Sequence, residues 1–408
     1  MDEQKRTRHP RNLSWTATLI LVLSLPVIAF FLSKPLPIVK TEKDRGGRIL
    51  WEKSYGGGIG TCGQQTFDRG YIIAGYTFSY GKGKGDVYLI KTDENGNVRW
   101  EKTFGGAKWD KANSVQQTTD GGYILAGETD SYGARKMLGE SDVYLIKTDQ
   151  NGNAIWERTF GGRGDDAAYS VQQTTDGGYI LAGKTDSYGA GESDVYLIRT
   201  DENGNAIWQK TFGGKEDDKA SSILQTAEGG YILVGQRDFY GSLRGDVYLI
   251  KTDENGNVLW EKIYGTAKQE GGVSIRETSD GGYIILGHRV PGSLEQDIML
   301  IKTNRTGEVL WEKTYHKAQY NIGSSVLQTK DDGYIIVGST LLPGYDVVLV
   351  IKTDKNGNMD WAKIFGDTNW GGEGLWVQET AKGEYIIGGA KAQADDNSKL
   401  DVYLAKIK

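Results

Sequence analysis

Beyond residue 48 the chain alternates short apolar runs with breaks rich in Gly, Asn and Asp. One stretch shows the rhythm. SVQQT (Ser114–Thr118) gives way to the break TDGG, then YILAGET (Tyr123–Thr129) and a longer polar segment. DVYLIKTD (Asp142–Asp149) follows, then QNGN, then AIWERTF (Ala154–Phe160). β-Branched and aromatic residues crowd the runs, and no run repeats its apolar positions at a helical spacing, so each predicts a strand. Asn-Gly between two runs predicts a tight hairpin turn with positive φ at both central residues. The run V-Y-L-I is apolar where a one-sided sheet would alternate, so that strand must be covered on both faces.

The four-run unit recurs. Tryptophan occupies one frame at Trp51, Trp100, Trp156, Trp208, Trp260, Trp311 and Trp361, at spacings of 49, 56, 52, 52, 51 and 50. The aspartate that opens D-V-Y-L recurs at Asp86, Asp142, Asp194, Asp246, Asp297, Asp346 and Asp401. The tyrosine of G-G-Y-I recurs at Tyr71, Tyr123, Tyr179, Tyr231, Tyr283, Tyr334 and Tyr385. A period near 50 means one supersecondary unit repeated. Four short antiparallel strands, covered on both faces and written seven times, predict an all-β, seven-bladed β-propeller over residues 48–408. A solenoid would need capping units, and none is visible. Instead the region opens on a lone outer strand, RILWEKSYG, and ends on DVYLAKIK, a unit that lacks one. The N-terminal strand is therefore expected to complete the seventh blade beside Asp401–Lys408.

The repeats resemble those of quinoprotein-like (PQQ-repeat) propellers, with the motif D-x-x-T-G-x-x-L-W best matched by TNRTGEVLW (Thr303–Trp311). They are also similar to kelch propellers, in which a glycine-ended strand precedes a Tyr strand and a Trp strand, although only Gly388-Gly389 supplies the kelch double glycine. The resemblance implies the fold and says little of activity. Quinoprotein dehydrogenases of this likeness carry eight blades, a vicinal cysteine pair and a calcium-bound cofactor. Seven repeats and a single cysteine, Cys62, do not carry that site over, and no cofactor is expected.

Composition changes the picture at the N-terminus. The chain's net charge is −6, yet residues 1–45 hold eight Lys/Arg against four acids, which leaves −10 for the rest. An acidic body lacks the basic face that nucleic acid requires. The basic residues Lys5, Arg6, Arg8 and Arg11 precede WTATLILVLSLPVIAFFL (Trp15–Leu32), 18 residues without a charge. That run is near the lower limit for a membrane-spanning helix, and the flanking positive charge predicts that it leaves the N-terminus in the cytoplasm. Residues 1–14 then form a cytoplasmic tail, 15–32 a signal anchor, and 33–47 a polar tether. A cleaved signal peptide is the competing reading, although VIAFFLSKP offers no small-x-small cleavage site. The propeller is expected outside the cytoplasm, as a single-pass membrane protein or, if cleaved, a secreted one, and as a monomer.

Few motifs carry chemistry. D-E-N-G-N at Asp93–Asn97, Asp201–Asn205 and Asp253–Asn257 suggests a calcium loop, but an EF-hand register from Asp93 puts Val98 and Phe104 where glycine and glutamate are needed. A hairpin turn explains it in full. The repeated Trp reads as packing, and Gly105-Gly106 and Gly161-Gly162 read as crossover turns with no following helix to cradle phosphate. The glutamines Gln65, Gln117, Gln173, Gln225 and Gln328, with Glu277 and Glu379, read as amides that bridge blades, while Arg276, Glu277, Trp376 and Glu379 break the repeat. The three histidines are scattered, so no metal centre is expected.

Function on a propeller sits where loops vary. The outer-to-inner crossovers and the loops between second and third strands share one end of the ring and vary most. They place Trp109, Tyr132, Asp165, Asp166, Tyr188, Asp217, Asp218, Tyr320 and Trp370 on an aromatic and acidic rim, with Trp376 at a break in the repeat. Exposed aromatics beside carboxylates suit a glycan or protein partner. The expected function is non-catalytic binding of a glycan, an envelope polymer or an envelope protein. The alternatives are a polysaccharide hydrolase or lyase using rim carboxylates, and an envelope sensor or assembly factor.

Overall fold

The computed structural model describes residues 46–133, 140–238, 245–266, 268–292, 295–318, 320–342, 345–366, 371–393 and 396–408. Trp15–Leu32 lies outside them, and no helix among the described residues is long and apolar enough to cross a membrane. Residues 44–408 form one compact unit. Among the described residues, 28 strands make seven four-stranded antiparallel sheets, a seven-bladed propeller. The inner strands are Gly58–Gln65, Asp110–Gln117, Asp166–Gln173, Lys219–Gln225, Gln269–Glu277, Asn321–Gln328 and Gly372–Glu379 for blades 1 to 7. In blade 7 the outer position is held by Ile49–Tyr55, paired antiparallel with Asp396–Ile407.

The core is a set of seams. The third strand of blade 1, DVYLIKT, is buried at every position, which is why it does not alternate. One face of each blade packs on the next. Ile124, Ala126 and Leu145 of blade 2 meet Val171, Leu181 and Ile198 of blade 3. The same arrangement joins blade 7 to blade 1 through Trp376, Ile386, Val402, Leu404, Ile73 and Ile90. The repeat tryptophans Trp51, Trp100, Trp156, Trp208 and Trp311 lean on the G-G-Y-I tyrosine of the following blade, with centroids 5.9 Å apart for Trp100–Tyr123 and 5.8 Å for Trp311–Tyr334. They also cover the turn glycine of that blade: a Cβ on Gly152 would fall 2.5 Å from Trp100.

The D-E-N-G-N turns differ from the expected two-residue hairpin. Only the glycine takes positive φ, +77° at Gly96, and Asn95 does not. Asp93 accepts the amides of Asn95 and Asn97, both at 2.9 Å, and the Asn97 side chain at 3.0 Å. The aspartate thus holds a longer turn that ends on a left-handed glycine, a register in which only one residue must bear positive φ. Those three hydrogen bonds use the carboxylate that a calcium loop would offer, and the bonds from Asn97 hold Asp93 below the usual carboxylate range.

On this turn end blades 1 to 6 each bury a cation. Lys91, Lys147, Lys302 and Lys352 are nearly inaccessible and pair with the turn acids Asp68, Asp120, Asp280 and Asp331 at 2.8–2.9 Å. Arg199 pairs likewise with Asp176. Blade 4 has Glu228 in place of the turn aspartate, and its Lys251 turns instead to Thr226 Oγ1 at 2.8 Å and Gly229 O at 3.1 Å. Burial pushes Asp280 upward, but hydrogen bonds from Thr278, Lys302 and the Gly282 amide outweigh it and hold the acid at about 2. A carboxylate held below its unfolded value, roughly 3.9, contributes stability that is complete above that value and lost as pH falls toward 2. Thermal midpoints should therefore drop steeply from pH 4 to 2, and Asp280→Asn should flatten that drop; an unchanged slope in calorimetry would contradict the assignment.

The glutamines bridge blades. The Gln117 amide N–H donates to Gln64 Oε1 at 3.0 Å, and the Phe67 amide donates back to Gln117 Oε1 at 2.8 Å. Blades 2–3 repeat the exchange through Gln116, Gln173 and Thr119, and blades 3–4 through Gln172, Gln225 and Thr175. Gln378 accepts from the Gln65 amide between blades 7 and 1. Glu379 accepts from Lys330 at 3.1 Å, whereas Arg276, where other blades carry Gln or Leu, folds back on Ile275 O at 2.7 Å.

Candidate functional site at the variable mouth of the channel

The end opposite the turns carries the expected rim residues that are described, and several of them make structural contacts. Tyr132 and Tyr188 are exposed at 42% and 47%, yet each donates its hydroxyl to a crossover carbonyl, Gly105 O at 2.8 Å and Gly161 O at 2.7 Å. They latch the second-to-third-strand loop onto the crossover. Asp166 and Asp218 are wholly buried, contrary to an exposed rim. Asp166 accepts the Gly162 amide at 2.9 Å and Ser187 Oγ at 2.6 Å, and Asp218 accepts the Gly214 amide at 2.7 Å, so these carboxylates fasten the crossovers. Trp109 is half-buried against Phe78 and Tyr76, at 5.4 and 6.4 Å. Tyr320 is half-buried, and its carbonyl accepts the Leu341 amide at 3.0 Å. Trp370 lies outside the described residues.

Trp376 is 5% exposed and sits in the seam between blades 7 and 1, not on a surface. Its position holds Ser114, Ser170, Ser222, Ser274 and Ser325 in blades 2 to 6. Two glycines make room: a Cβ on Gly63 would fall 2.5 Å from the indole, and one on Gly388 only 2.1 Å.

Asp165 and Asp217 remain at the mouth, half-buried. Asp165 accepts the Ser141 amide at 2.9 Å. They join a ring that the loops do not reveal. In the second strand, the residue after the glycine of Y-I-L-A-G differs in every blade: Tyr76, Glu128, Lys184, Gln236, His288, Ser339 and Ala390. Opposite it in register on the inner strand stand Ile59, Lys111, Ala167, Lys219, Gly271, Ile322 and Glu373. A register shift follows within the next three residues of each inner strand, and bulges of this kind re-aim side chains beside functional sites. The internal repeats act as their own alignment: the glycine is kept in all seven copies and the residue after it differs in every one, so the fold leaves that position open.

These groups feel one another around the mouth. Lys111 pairs with Glu128 at 3.0 Å, and Lys184 with Asp186 at 3.2 Å. Burial, then Glu128, Asp110 and Asp165, push Asp130 up to about 6. Burial and Glu192 raise Asp217. Burial and Asp346 push Glu373 up to about 7. Burial, with Glu373 on one side and Glu128 on the other, lifts Tyr76 to about 12. Burial, then Lys184, lowers Lys219 to about 8; burial, then Lys219, lowers His288 to about 4. Carboxyls raised toward neutrality and an imidazole lowered well below it, set on rigid strands, offer hydrogen-bonding groups to a polar ligand. Among the described residues no cluster of His, Cys, Asp or Glu could hold a metal.

The face is asymmetric. Blades 1 to 3 end their second strands at Thr77, Thr129 and Thr185, and loops follow. In blades 5 to 7 the strands run on as Tyr283–Gly292 with Glu295–Thr303, Tyr334–Leu342 with Tyr345–Thr353, and Tyr385–Gln393 with Asp396–Ile407. Blades 5 to 7 thus carry longer second and third strands than blades 1 to 3 at this end.

No protein-family model matches the chain. Its fold is that of propellers of known structure. An ulvan lyase of polysaccharide lyase family PL25, solved with a GlcA(1-4)Rha3S repeat bound, superposes with a TM-score of 0.60 at 12% identity, over 88% of this chain and 96% of the lyase. A puromycin hydrolase superposes at 0.52 and 11% identity, over 82% of this chain and 50% of the hydrolase. At such identity the likeness is one of fold. Among curated proteins the chain is similar to the regulatory protein FlaEY of Caulobacter vibrioides, 28% identical over 239 residues. That match covers 52% of this chain, which spans only 24% of FlaEY.

Proposed function

We propose that this protein is a non-catalytic binding propeller, held outside the cytoplasm by the Trp15–Leu32 segment, that takes a glycan, an envelope polymer or an envelope protein on the variable mouth of its channel. The observation that carries the reading is the ring of positions from Tyr76 to Ala390, different in all seven copies and gathered at one end. Blade packing explains the residues that repeat. It gives no reason for Glu128, Lys184, Gln236 and His288 to differ, and a ligand that contacts several blades does.

Residues 44–408 should be screened against polysaccharides and envelope extracts, with products assayed in the same samples. Asp217→Asn keeps shape and removes charge, and Glu373→Gln keeps shape and removes the acidic proton; each is expected to weaken binding at least tenfold with the thermal midpoint unchanged and no turnover in any sample. One observation favours a second reading, as a polysaccharide hydrolase or lyase: Glu373, pushed up to about 7, has the protonation that a general acid requires. Turnover that Glu373→Gln abolishes would replace the binding reading with that one. Binding confined to the turn end would remove both.

A further inference from the structure

Around the channel the inner strands are joined by glutamines, and blade 5 breaks the pattern. The backbone amides of Gln65, Gln117, Gln173 and Gln225 donate to the side-chain oxygens of Gln378, Gln64, Gln116 and Gln172 in the preceding blade. Glu277, Gln328 and Glu379 hold the same position in blades 5 to 7, and opposite them the glutamine has become Leu224, Arg276 and Leu327. Leucine accepts no hydrogen bond and a guanidinium only donates, so these three amides lose the acceptor that the other four have. The Gln328 amide points the same way as that of Gln117, because in both blades the next amide, Thr329 or Thr118, is the one that closes the turn, each at 2.9 Å from a glycine carbonyl. At the seam between blades 5 and 6 a guanidinium therefore stands where the repeat puts a carbonyl oxygen, and it faces an N–H. Two donors meet there.

Arg199, Arg289 and Arg305 each pair with a carboxylate. Arg276 is half-buried, and among the described residues its guanidinium donates to Ile275 O alone, at 2.7 Å. Burial is the one influence on its charge, and lowers it. Glu277, next along the strand, faces the other neighbour, where it acts on Lys251 of blade 4, and Glu379 already accepts the Lys330 amide. Leu224 and Leu327 pack into the seams on either side. An arginine does not shed its proton, so a guanidinium held between apolar seams is stabilised by an anion brought to it. Its planar fork matches the two oxygens of a carboxylate. The net charge of −10 beyond residue 45 opposes a polyanion and favours a ligand of one charge. We propose that Arg276 and the Gln328 amide form a binding site for one carboxylate at the turn end of the channel, brought by a free small acid or by the C-terminus of a peptide. The site lies at the other end of the inner strand from Gly271 and the variable mouth, and it does not rest on the function proposed for that face.

Arg276→Gln restores the residue of blades 1 to 3 and 7 and returns an acceptor to the Gln328 amide. In the full chain in detergent, acetate in place of chloride at constant pH and ionic strength should raise the thermal midpoint of the wild type along a single-site saturation curve. Arg276→Gln should melt above the wild type in chloride and lose the response to acetate. Arg276→Lys keeps the charge without the fork and should bind acetate about tenfold more weakly by titration calorimetry. No saturable rise in the wild type, or an equal rise in Arg276→Gln, overturns the site. So does an Arg276→Gln chain that melts below the wild type in chloride, because the guanidinium would then serve the fold. Acetyl-dialanine with a free C-terminus should bind, and its C-terminal amide should not; equal binding of the two overturns the carboxylate. Binding of the free peptide at least tenfold tighter than acetate assigns the site to a chain end, and equal affinity assigns it to a free acid.

Discussion

A chain that begins at Gly56 should fail to fold. Ile49–Tyr55 is the outer strand of the sheet whose other three strands lie more than 300 residues away, with Trp51 opposite Lys406 and Tyr55 opposite Val402. Trp51 covers Tyr71 at 6.0 Å, and the buried Tyr55 donates to Gly96 O at 2.7 Å, so both aromatics belong to the joint between blades 7 and 1. Removing a buried large aromatic costs about 3–5 kcal/mol, and losing two approaches the 5–15 kcal/mol that holds a typical domain. The cut also bares the edge of Asp396–Ile407, a ready template for aggregation. Circular dichroism and light scattering should find no cooperative unfolding and early aggregation. Moving the strand to the other terminus should repair the damage. The Arg48 amide donates to Lys408 O at 2.9 Å and the Lys408 amide to Arg48 O at 3.0 Å, where an unbroken blade has Asp93 and Asn97. Gly47 has a φ of +73°, within the range of the turn glycines, and lies against Trp361 and Lys363 as Gly96 lies against Trp51 and Lys53. A permuted chain with Gly46–Gly56 joined after Lys408 through a D-E-N-G-N turn should therefore melt within a few degrees of the original. Wild-type stability in the truncated chain would show that the strand is dispensable.

Trp376→Ser should be the costliest single substitution at the mouth, at about 3–5 kcal/mol, and the loss should be recoverable at two distant positions. Serine restores the residue of blades 2 to 6 but empties the slot between Gly63 and Gly388. Other blades hold Val115 and Val171 where blade 1 has Gly63, and Ala126 and Ala182 where blade 7 has Gly388. Gly63→Val with Gly388→Ala should refill much of the void in the serine background. In the parent chain the same pair should destabilise, because both Cβ atoms would strike the indole. Urea unfolding of the four proteins gives a double-mutant cycle with a large coupling energy. Additive effects would mean that the glycines do not accommodate the indole. Ligand binding that falls with Trp376→Ser at unchanged stability would return this residue to the binding face.

Local chemistry explains what could be read in advance and what could not. The blade is legible because its determinants are neighbours in sequence. An aspartate reaches amides two and four residues on, a glycine supplies one positive φ, and V-Y-L-I shows a strand covered twice. The copy number follows from counting Trp, Asp and Tyr frames. The candidate site was legible in part. Loop variation pointed to the end of the ring where Asp165 and Asp217 stand half-buried. Tyr132 and Tyr188 could not be told from ligand platforms because their hydroxyl partners, Gly105 and Gly161, lie 27 residues upstream. Asp166 and Asp218 read as loop acids because only the fold shows the crossover amides closing on them.

The sequence by itself determined the blade and its sevenfold repetition, since the first follows from turn hydrogen bonds spanning a few residues and the second from a motif that recurs about every 50. Only the tertiary structure decided which variable residues line the mouth. Gln236, Lys219, Gly271 and His288 belong to two blades, and their environment is created when one sheet packs on the next. Likewise the burial of Trp376 in the seam could not be read in advance, because Gly63 lies 313 residues before it and touches it only in the assembled propeller.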